Sequence, residues 1–96
     1  MIINQHKTPD SRLILTICDE ELIGKKFEEN NLQLDLSSNF YKGKKINETE
    51  IIELIKKASI INIVGKKSIE FCIKNDVINK ESVIKVENIP HAQAIL

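Results

Sequence analysis

A histidine and a glutamine lie in an otherwise apolar segment, residues 89–96. If that segment docks on a core, it holds the imidazole of His91 and the amide of Gln93 in fixed positions. A fixed imidazole is suited to general acid–base catalysis near neutral pH. No complete catalytic motif surrounds His91, so the alternative is that both polar groups only hydrogen-bond to backbone.

A cysteine and an aspartate, Cys18 and Asp19, follow a strongly apolar run at residues 12–18. Sites in open α/β sheets favour the carboxyl ends of strands, and a thiol beside a helix N-terminus can have a lowered pKa. A cysteine nucleophile needs a nearby base, for which His91 is the candidate. The pattern therefore allows a small enzyme in which His91 is the general base and Cys18 or Asp19 assists. The alternative is that Cys18 is a core residue and Asp19 caps a helical turn.

Four consecutive residues, Gly65, Lys66, Lys67 and Ser68, follow a second apolar run and begin a predicted helix. Helix N-termini attract anions through their free amides and their dipole, whereas the same dipole disfavours two lysines there. A bound anion or phosphate would explain the lysines, and the alternative is a solvated helix start. A complete phosphate loop needs a glycine five positions before Gly65, where Ile60 stands. The segment is therefore not a nucleotide-triphosphate loop.

The cysteines and histidines do not predict a metal centre. Cys18, Cys72, His6 and His91 lack the closely spaced ligand pairs of structural zinc sites. We therefore expect neither a metal nor a cofactor.

Paired lysines lie near the aromatic residues Phe40 and Tyr41, in a loop that runs to Lys45. A basic loop beside an aromatic side chain can bind single-stranded nucleic acid by phosphate contact and stacking. Such a function requires several lysines on one face, for which the candidates are Lys25, Lys42, Lys45 and Lys66. Acidic pairs are interleaved with them, so the alternative is a mixed surface that serves solubility.

Length and composition describe one domain, residues 1–96, with an aliphatic core, because aromatic residues make up only 4% of the chain. The formal net charge is zero, which argues against bulk nucleic acid as a partner but allows a local basic face. Two cysteines without a framework favour a reducing cytosol. Residues 1–7 lack a signal-peptide core, and every apolar run is shorter than the ~20 residues that span a membrane. We therefore expect a cytoplasmic protein with no membrane partner.

Local patterns predict the elements that position these residues. The turn sequence at residues 8–11 joins strands at 1–7 and 12–18 into a hairpin. Alternating leucines predict a half-buried strand at 32–36, and Asn47 with Glu50 forms a capping box that begins a helix. The later predicted elements are a strand at Ile60–Val64, a helix at 67–75, a strand at 82–86 and a last strand from Ala92.

The order of these elements predicts an α+β (mixed α/β) fold in a single compact domain. Antiparallel strands come first, and the second half is α-β-α-β, in which strands joined through a helix usually pair in parallel. The central strand is either residues 12–18 or Ile60–Val64. We expect the end of the first, residues 62–65 and residues 90–93 to meet, because Asn62, His91 and Gln93 are polar groups in apolar segments that need partners.

Three segments resemble one known family: CDEELIGKKF at residues 18–27, NIVG at 62–65 and PHAQ at 90–93. They are similar to the archaeal domain-of-unknown-function family 424, and the resemblance extends over residues 12–96. Its members are small, mostly single-domain archaeal proteins without an established activity, so the resemblance implies a cytosolic archaeal protein and no mechanism. The positions that match the family's motifs are Cys18, Asp19, Gly24, Asn62, Gly65, Pro90, His91 and Gln93.

Taken with the lysine pairs, these features favour a non-catalytic binding module for RNA or an anionic partner in information processing, such as a protein of the translation machinery. One alternative is the small enzyme that uses His91. The other is a subunit of a homo- or hetero-oligomer, whose apolar segment at residues 89–96 is completed by another chain.

Overall fold

A six-stranded mixed sheet packs two helices on one face and a two-stranded hairpin on part of the other, in a computed structural model that describes residues 1–96. The strands are β1 Ile2–Lys7, β2 Leu13–Cys18, β3 Lys26–Glu29, β4 Leu32–Asp35, β5 Lys44–Lys45, β6 Ile60–Val64, β7 Ile84–Val86 and β8 Ile89–Ile95. The helices are α1 Glu48–Lys57 and α2 Lys66–Lys74, and single 3-10 turns lie at Glu20–Leu22 and Lys80–Ser82.

The sheet has the strand order β5-β1-β2-β6-β8-β7, with β3 and β4 forming the separate hairpin. The predicted antiparallel hairpin of β1 and β2 is confirmed, and both candidate central strands, β2 and β6, lie in the middle. The mixed sheet of the predicted α+β fold is therefore confirmed. No helix of the structure is both long and apolar enough to cross a membrane.

The parallel pairing differs from the prediction. Strands β6 and β7, which α2 connects, are not neighbours; the parallel neighbour of β6 is β2, and β8 lies between β6 and β7. The cause is a tight turn at Glu87 and Asn88, whose φ values of 49° and 66° match a type I′ hairpin. This turn returns the chain along β6. Strand β8 consequently begins at Ile89, three residues earlier than the predicted start at Ala92.

Helix α1 begins as its sequence predicts. The side chain of Asn47 accepts a hydrogen bond of 2.8 Å from the backbone N–H of Glu50, and its amide donates back to the Glu50 carboxylate at 2.8 Å. Ile51 then faces the core and is fully buried. The cap begins α1 where the sequence predicts it, although the Glu50 carboxylate accepts from the Asn47 side-chain amide and not from the Asn47 backbone N–H of a full capping box.

The core has two parts, one on each face of the sheet. The larger part lies under the helices, where Leu15 and Ile17 of β2 and Ile61 and Ile63 of β6 are fully buried. The smaller part lies under the hairpin and comprises Cys18, Leu22, Leu34, Leu36, Val64 and Val86. The hairpin covers only this end of its face, so the side chains of Asn62 and Gln93 remain partly or fully exposed.

Candidate functional site

Asp19 caps helix α2 from the end of β2. Its side chain is buried, with the residue 3% exposed, and Oδ1 accepts hydrogen bonds from the backbone N–H of Ser68 at 2.8 Å and from its Oγ at 2.6 Å. Oδ2 accepts from the N–H of Lys67 at 3.1 Å. The carboxylate therefore sits where free helix amides would hold an external anion.

The hydrogen bonds from α2 to Asp19 change the roles predicted for Asp19 and for residues 65–68. Asp19 precedes the turn Glu20–Leu22 as expected, but its side chain makes no hydrogen bond to that turn. An anion was predicted to bind at residues 65–68. The backbone N–H groups of Lys67 and Ser68, which would bind it, already donate to the carboxylate of Asp19. Asp19 also explains the lysines at this helix end, because its negative charge offsets the repulsion between them and the helix dipole.

Cys18 lies in an environment that suppresses its reactivity. The residue is fully buried, and burial, with the nearby carboxylates Asp19 and Glu21, raises the pKa of its thiol to about 12. This is the opposite of the lowered pKa that a helix N-terminus was expected to produce. The register places Val64 between Cys18 and His91, so the two candidates are two strand spacings apart, about 10 Å.

The polar residues of β6 and β8 are partners of each other. Asn62 and Gln93 stand opposite in the register, and Nε2 of Gln93 donates to Oδ1 of Asn62 at 3.1 Å. The backbone N–H of Gly65 donates to the carbonyl of Pro90 at 2.8 Å. The end of β2, residues 62–65 and residues 90–93 therefore lie side by side, as the sequence predicts.

His91 lies in that region, opposite Val64 on β6 and Ile84 on β7. It is half-buried, and burial lowers the pKa of its imidazole. No hydrogen bond joins its side chain to Cys18 or Asp19, so no orienting partner holds it as a base. No three His, Cys, Asp or Glu side chains are grouped closely enough to hold a metal ion.

Phe40 is fixed against the sheet rather than free in a loop. Its ring stacks on His6 with centroids 4.7 Å apart, and its carbonyl accepts from Asn4 Nδ2 at 2.9 Å and Thr16 Oγ1 at 3.3 Å. One face of the Phe40 ring is therefore already occupied by imidazole. The neighbouring lysines belong to the β5 edge, where Lys45 forms an ion pair with Glu20 at 3.2 Å.

The opposite edge of the sheet carries a feature that sequence reasoning missed. Three lysines, Lys66, Lys80 and Lys85, line a groove of about 540 Å³ between α2, the turn Lys80–Ser82 and the β7–β8 hairpin. Its other lining residues are Ile69, Glu70, Ile73, Val83, Asn88 and Pro90. None of the three lysines forms an ion pair. We call this feature the basic groove.

Of the residues predicted for a site, Lys66 and Pro90 line the basic groove. Lys80 and Lys85 are single lysines in separate segments, so no local pattern signals that they meet Lys66. The four lysines expected on one face are divided, since Lys42 and Lys45 lie at the β5 edge and Lys66 lies near the β7 edge.

Comparisons with known proteins agree with the fold. The family model described as "Protein of unknown function (DUF424)" matches residues 6–96. The chain is also similar to a solved structure described as an uncharacterized conserved protein from Methanopyrus kandleri, with a TM-score of 0.79 and 24% identity over 96% of this chain and 87% of that one. At this identity the likeness establishes the fold alone. No curated protein matches the chain.

Proposed function

This chain belongs to the DUF424 family of proteins of unknown function, and we propose that it is a non-catalytic module that binds RNA through the basic groove. The convergence of Lys66, Lys80 and Lys85 is the observation that carries this proposal. A role in information processing remains a prediction from the lysine pairs and the lack of a complete catalytic set, and an archaeal cytoplasm is what the family resemblance implies.

The electrostatics of the basic groove favour an anionic ligand. Its three lysines face a single carboxylate, Glu70, in a chain whose formal net charge is zero. Three like charges that share one groove with a single carboxylate repel one another, and a bound polyanion relieves this repulsion. The lysines that do form ion pairs, Lys26, Lys45 and Lys56, lie outside this groove.

The shape of the basic groove suits part of a nucleotide chain better than a lone inorganic ion. Its volume of about 540 Å³ lies within the ~300–1,000 Å³ typical of ligand sites. Ile69, Ile73, Val83 and Pro90 give it apolar surface that can contact a base or ribose. Asn88 adds an amide that can donate to or accept from a base edge.

The enzymatic alternative has weaker support. A thiol with a pKa of about 12 is protonated at neutral pH, so Cys18 is not an activated nucleophile. Asp19 uses both carboxylate oxygens to cap α2. His91 has no catalytic partner. A general base needs a substrate proton within hydrogen-bond reach and a neighbouring group that orients the base.

Fluorescence anisotropy with a labelled single-stranded RNA tests the proposal over a series of salt concentrations. If the three lysines each contact a phosphate, the plot of log K against log salt has a slope of about −2. Replacement of Lys66, Lys80 and Lys85 by Ala abolishes most of the binding. The matched control replaces Lys25, Lys42 and Lys44, which are exposed and unpaired but do not line the groove.

Two results would overturn the proposal. Equal losses in the two triple variants would show that binding follows total charge rather than the basic groove. Absence of salt-dependent RNA binding by the wild-type chain, with retained binding of an acidic polyglutamate peptide, would assign the basic groove to an acidic protein partner instead.

A further inference from the structure

The sheet has one unprotected edge, on β8. Strand β7 pairs only with residues 89–91 of β8, so no strand pairs with residues 92–95 on that side. The backbone of Pro90 and of Leu96 bonds towards β6, through Gly65 and Ser59. Because backbone direction alternates along a strand, the even-numbered residues of β8 face β6 and the odd-numbered residues face outwards. The N–H and C=O groups of Gln93 and Ile95 therefore point away from the sheet without a strand partner.

The other edges of the same sheet are protected by familiar devices. Strand β5 has only two residues, and both are lysines. Beyond β5, the exposed edge of β1 carries Lys7, and the N–H of Gln5 is already bound by Oδ1 of Asn4 at 3.0 Å. Strand β7 is three residues long with Lys85 at its centre. Short length, lysines and capped amides prevent strand pairing between molecules, and residues 92–96 contain no lysine and no capped amide.

Apolar side chains accompany this free edge. Ile95 is 78% exposed, Leu96 is 62% exposed and Ile84, beside His91, is 47% exposed. Only one other large apolar residue in the chain, Leu32 on the hairpin, is exposed to this extent. Open backbone groups and apolar side chains together mark a pairing surface rather than a solvated edge.

We propose that a second copy of this chain pairs with β8 in antiparallel orientation, about a two-fold axis at Ala94. In that register Gln93 stands opposite the partner's Ile95, and Ile95 stands opposite the partner's Gln93. The two pairs form four hydrogen bonds, which use every free backbone group of Gln93 and Ile95 in both copies. An axis at Gln93 would leave the groups of Ile95 unpaired, so the axis at Ala94 satisfies the edge best.

The identical edge is thus its own complement, which favours a second copy over an unrelated strand. The pairing joins two six-stranded sheets into one continuous sheet and brings Ile95 of each copy onto the shared open face. The interface is small and its backbone part is polar, so the fraction of dimer depends on protein concentration. It is independent of the basic groove, whose RNA binding can fail while the dimer forms.

Sedimentation velocity over a range of protein concentrations tests the pairing, with Ile95→Lys as the disrupting variant. We expect a wild-type dimer whose dissociation constant rises about tenfold or more in Ile95→Lys, since the variant places a charge on the edge. The matched control, Leu32→Lys, introduces the same charge at an exposed apolar position on the hairpin and leaves dimerisation unchanged. A wild-type chain that stays monomeric, or equal effects of both variants, would overturn the proposal.

Disulfide trapping tests the register. In the proposed dimer Gln93 and the partner's Ile95 have Cα atoms about 5.5 Å apart, within the range for a disulfide. Mixing a Gln93→Cys chain with an Ile95→Cys chain should give cross-linked heterodimers, whereas either chain alone should not cross-link. Both native cysteines are buried and do not interfere. Cross-linking of either variant with itself would refute the axis at Ala94.

Discussion

Ser68 Oγ donates a hydrogen bond of 2.6 Å to Oδ1 of Asp19, a residue 49 positions earlier in the chain. The contact joins the end of β2 to the first turn of α2, next to the parallel β2–β6 pair. Both residues are buried, so neither can replace the bond with water when it is lost. A single carboxylate from another part of the chain therefore holds the N-terminus of α2 to the sheet.

Replacement of Asp19 by Ala should destabilise the protein by about 2–3 kcal/mol, because it removes a helix cap and leaves buried Ser68 groups unpaired. Asp19→Asn should cost less, since Oδ1 can still accept from Ser68 while the amide nitrogen faces the Lys67 N–H. Urea unfolding monitored by circular dichroism measures both changes. Equal stabilities of Asp19→Ala and wild type would contradict the capping role.

Substitution of Gly65 by Ala should be more damaging than Gly24→Ala. Both glycines have positive φ, 107° and 90°, so both substitutions introduce backbone strain of about 1–2 kcal/mol. A Cβ at Gly65 would also lie 2.3 Å from Cγ of Asp19, whereas a Cβ at Gly24 meets nothing within 4 Å. The difference between the two unfolding free energies isolates this clash. Similar losses would show that α2 shifts to accommodate the methyl group.

Local patterns were sufficient for those parts of the fold that local interactions determine. The cap of α1 depends on Asn47 and Glu50, which are three positions apart, and its predicted bond from the Glu50 N–H to the Asn47 side chain is present. The apolar run at residues 12–18 and Ile60–Val64 predicted buried strands, because strands covered on both faces have few polar positions. The strand predicted at 32–36 is present as Leu32–Asp35, with Leu34 buried and Leu32 exposed, and Leu36 is buried directly after its end.

Features that depend on distant contacts could not be predicted in the same way. Strand β3 is mostly charged and exposed, and it is a strand because it pairs with β4. The position of Asp19 predicts that it caps the turn that follows it, yet its side chain caps a helix at Lys67, 48 residues further along the chain. The place of β8 beside β6 likewise depends on the turn at Glu87 and Asn88, whose residue types do not specify a type I′ hairpin.

Both cysteines should be inert towards thiol reagents in the folded protein. Cys18 and Cys72 are fully buried, and burial raises the pKa of each thiol to about 12. With an aromatic disulfide reagent at mildly alkaline pH, native labelling should be at least ~10²-fold slower than labelling of the denatured chain, because it awaits opening of the core. Denaturant should release two reactive thiols per chain. A rapid native phase at either cysteine would contradict this burial.

Acidification should weaken the fold through His91. Burial lowers the pKa of this imidazole below its ordinary value of 6.5, so the folded state prefers the neutral ring. As the pH falls through that value, the unfolded chain takes up a proton before the folded chain does, and the free energy of unfolding decreases. The stabilisation that His91 gives to the folded state is complete at about pH 7.5. It declines as the pH falls, until the pH is below the folded-state pKa of the imidazole. Urea unfolding at a series of pH values measures the slope, which should be smaller in His91→Gln. Because the two proteins share every other titratable group, their difference isolates His91. An unchanged slope in His91→Gln would show that the imidazole titrates alike in both states.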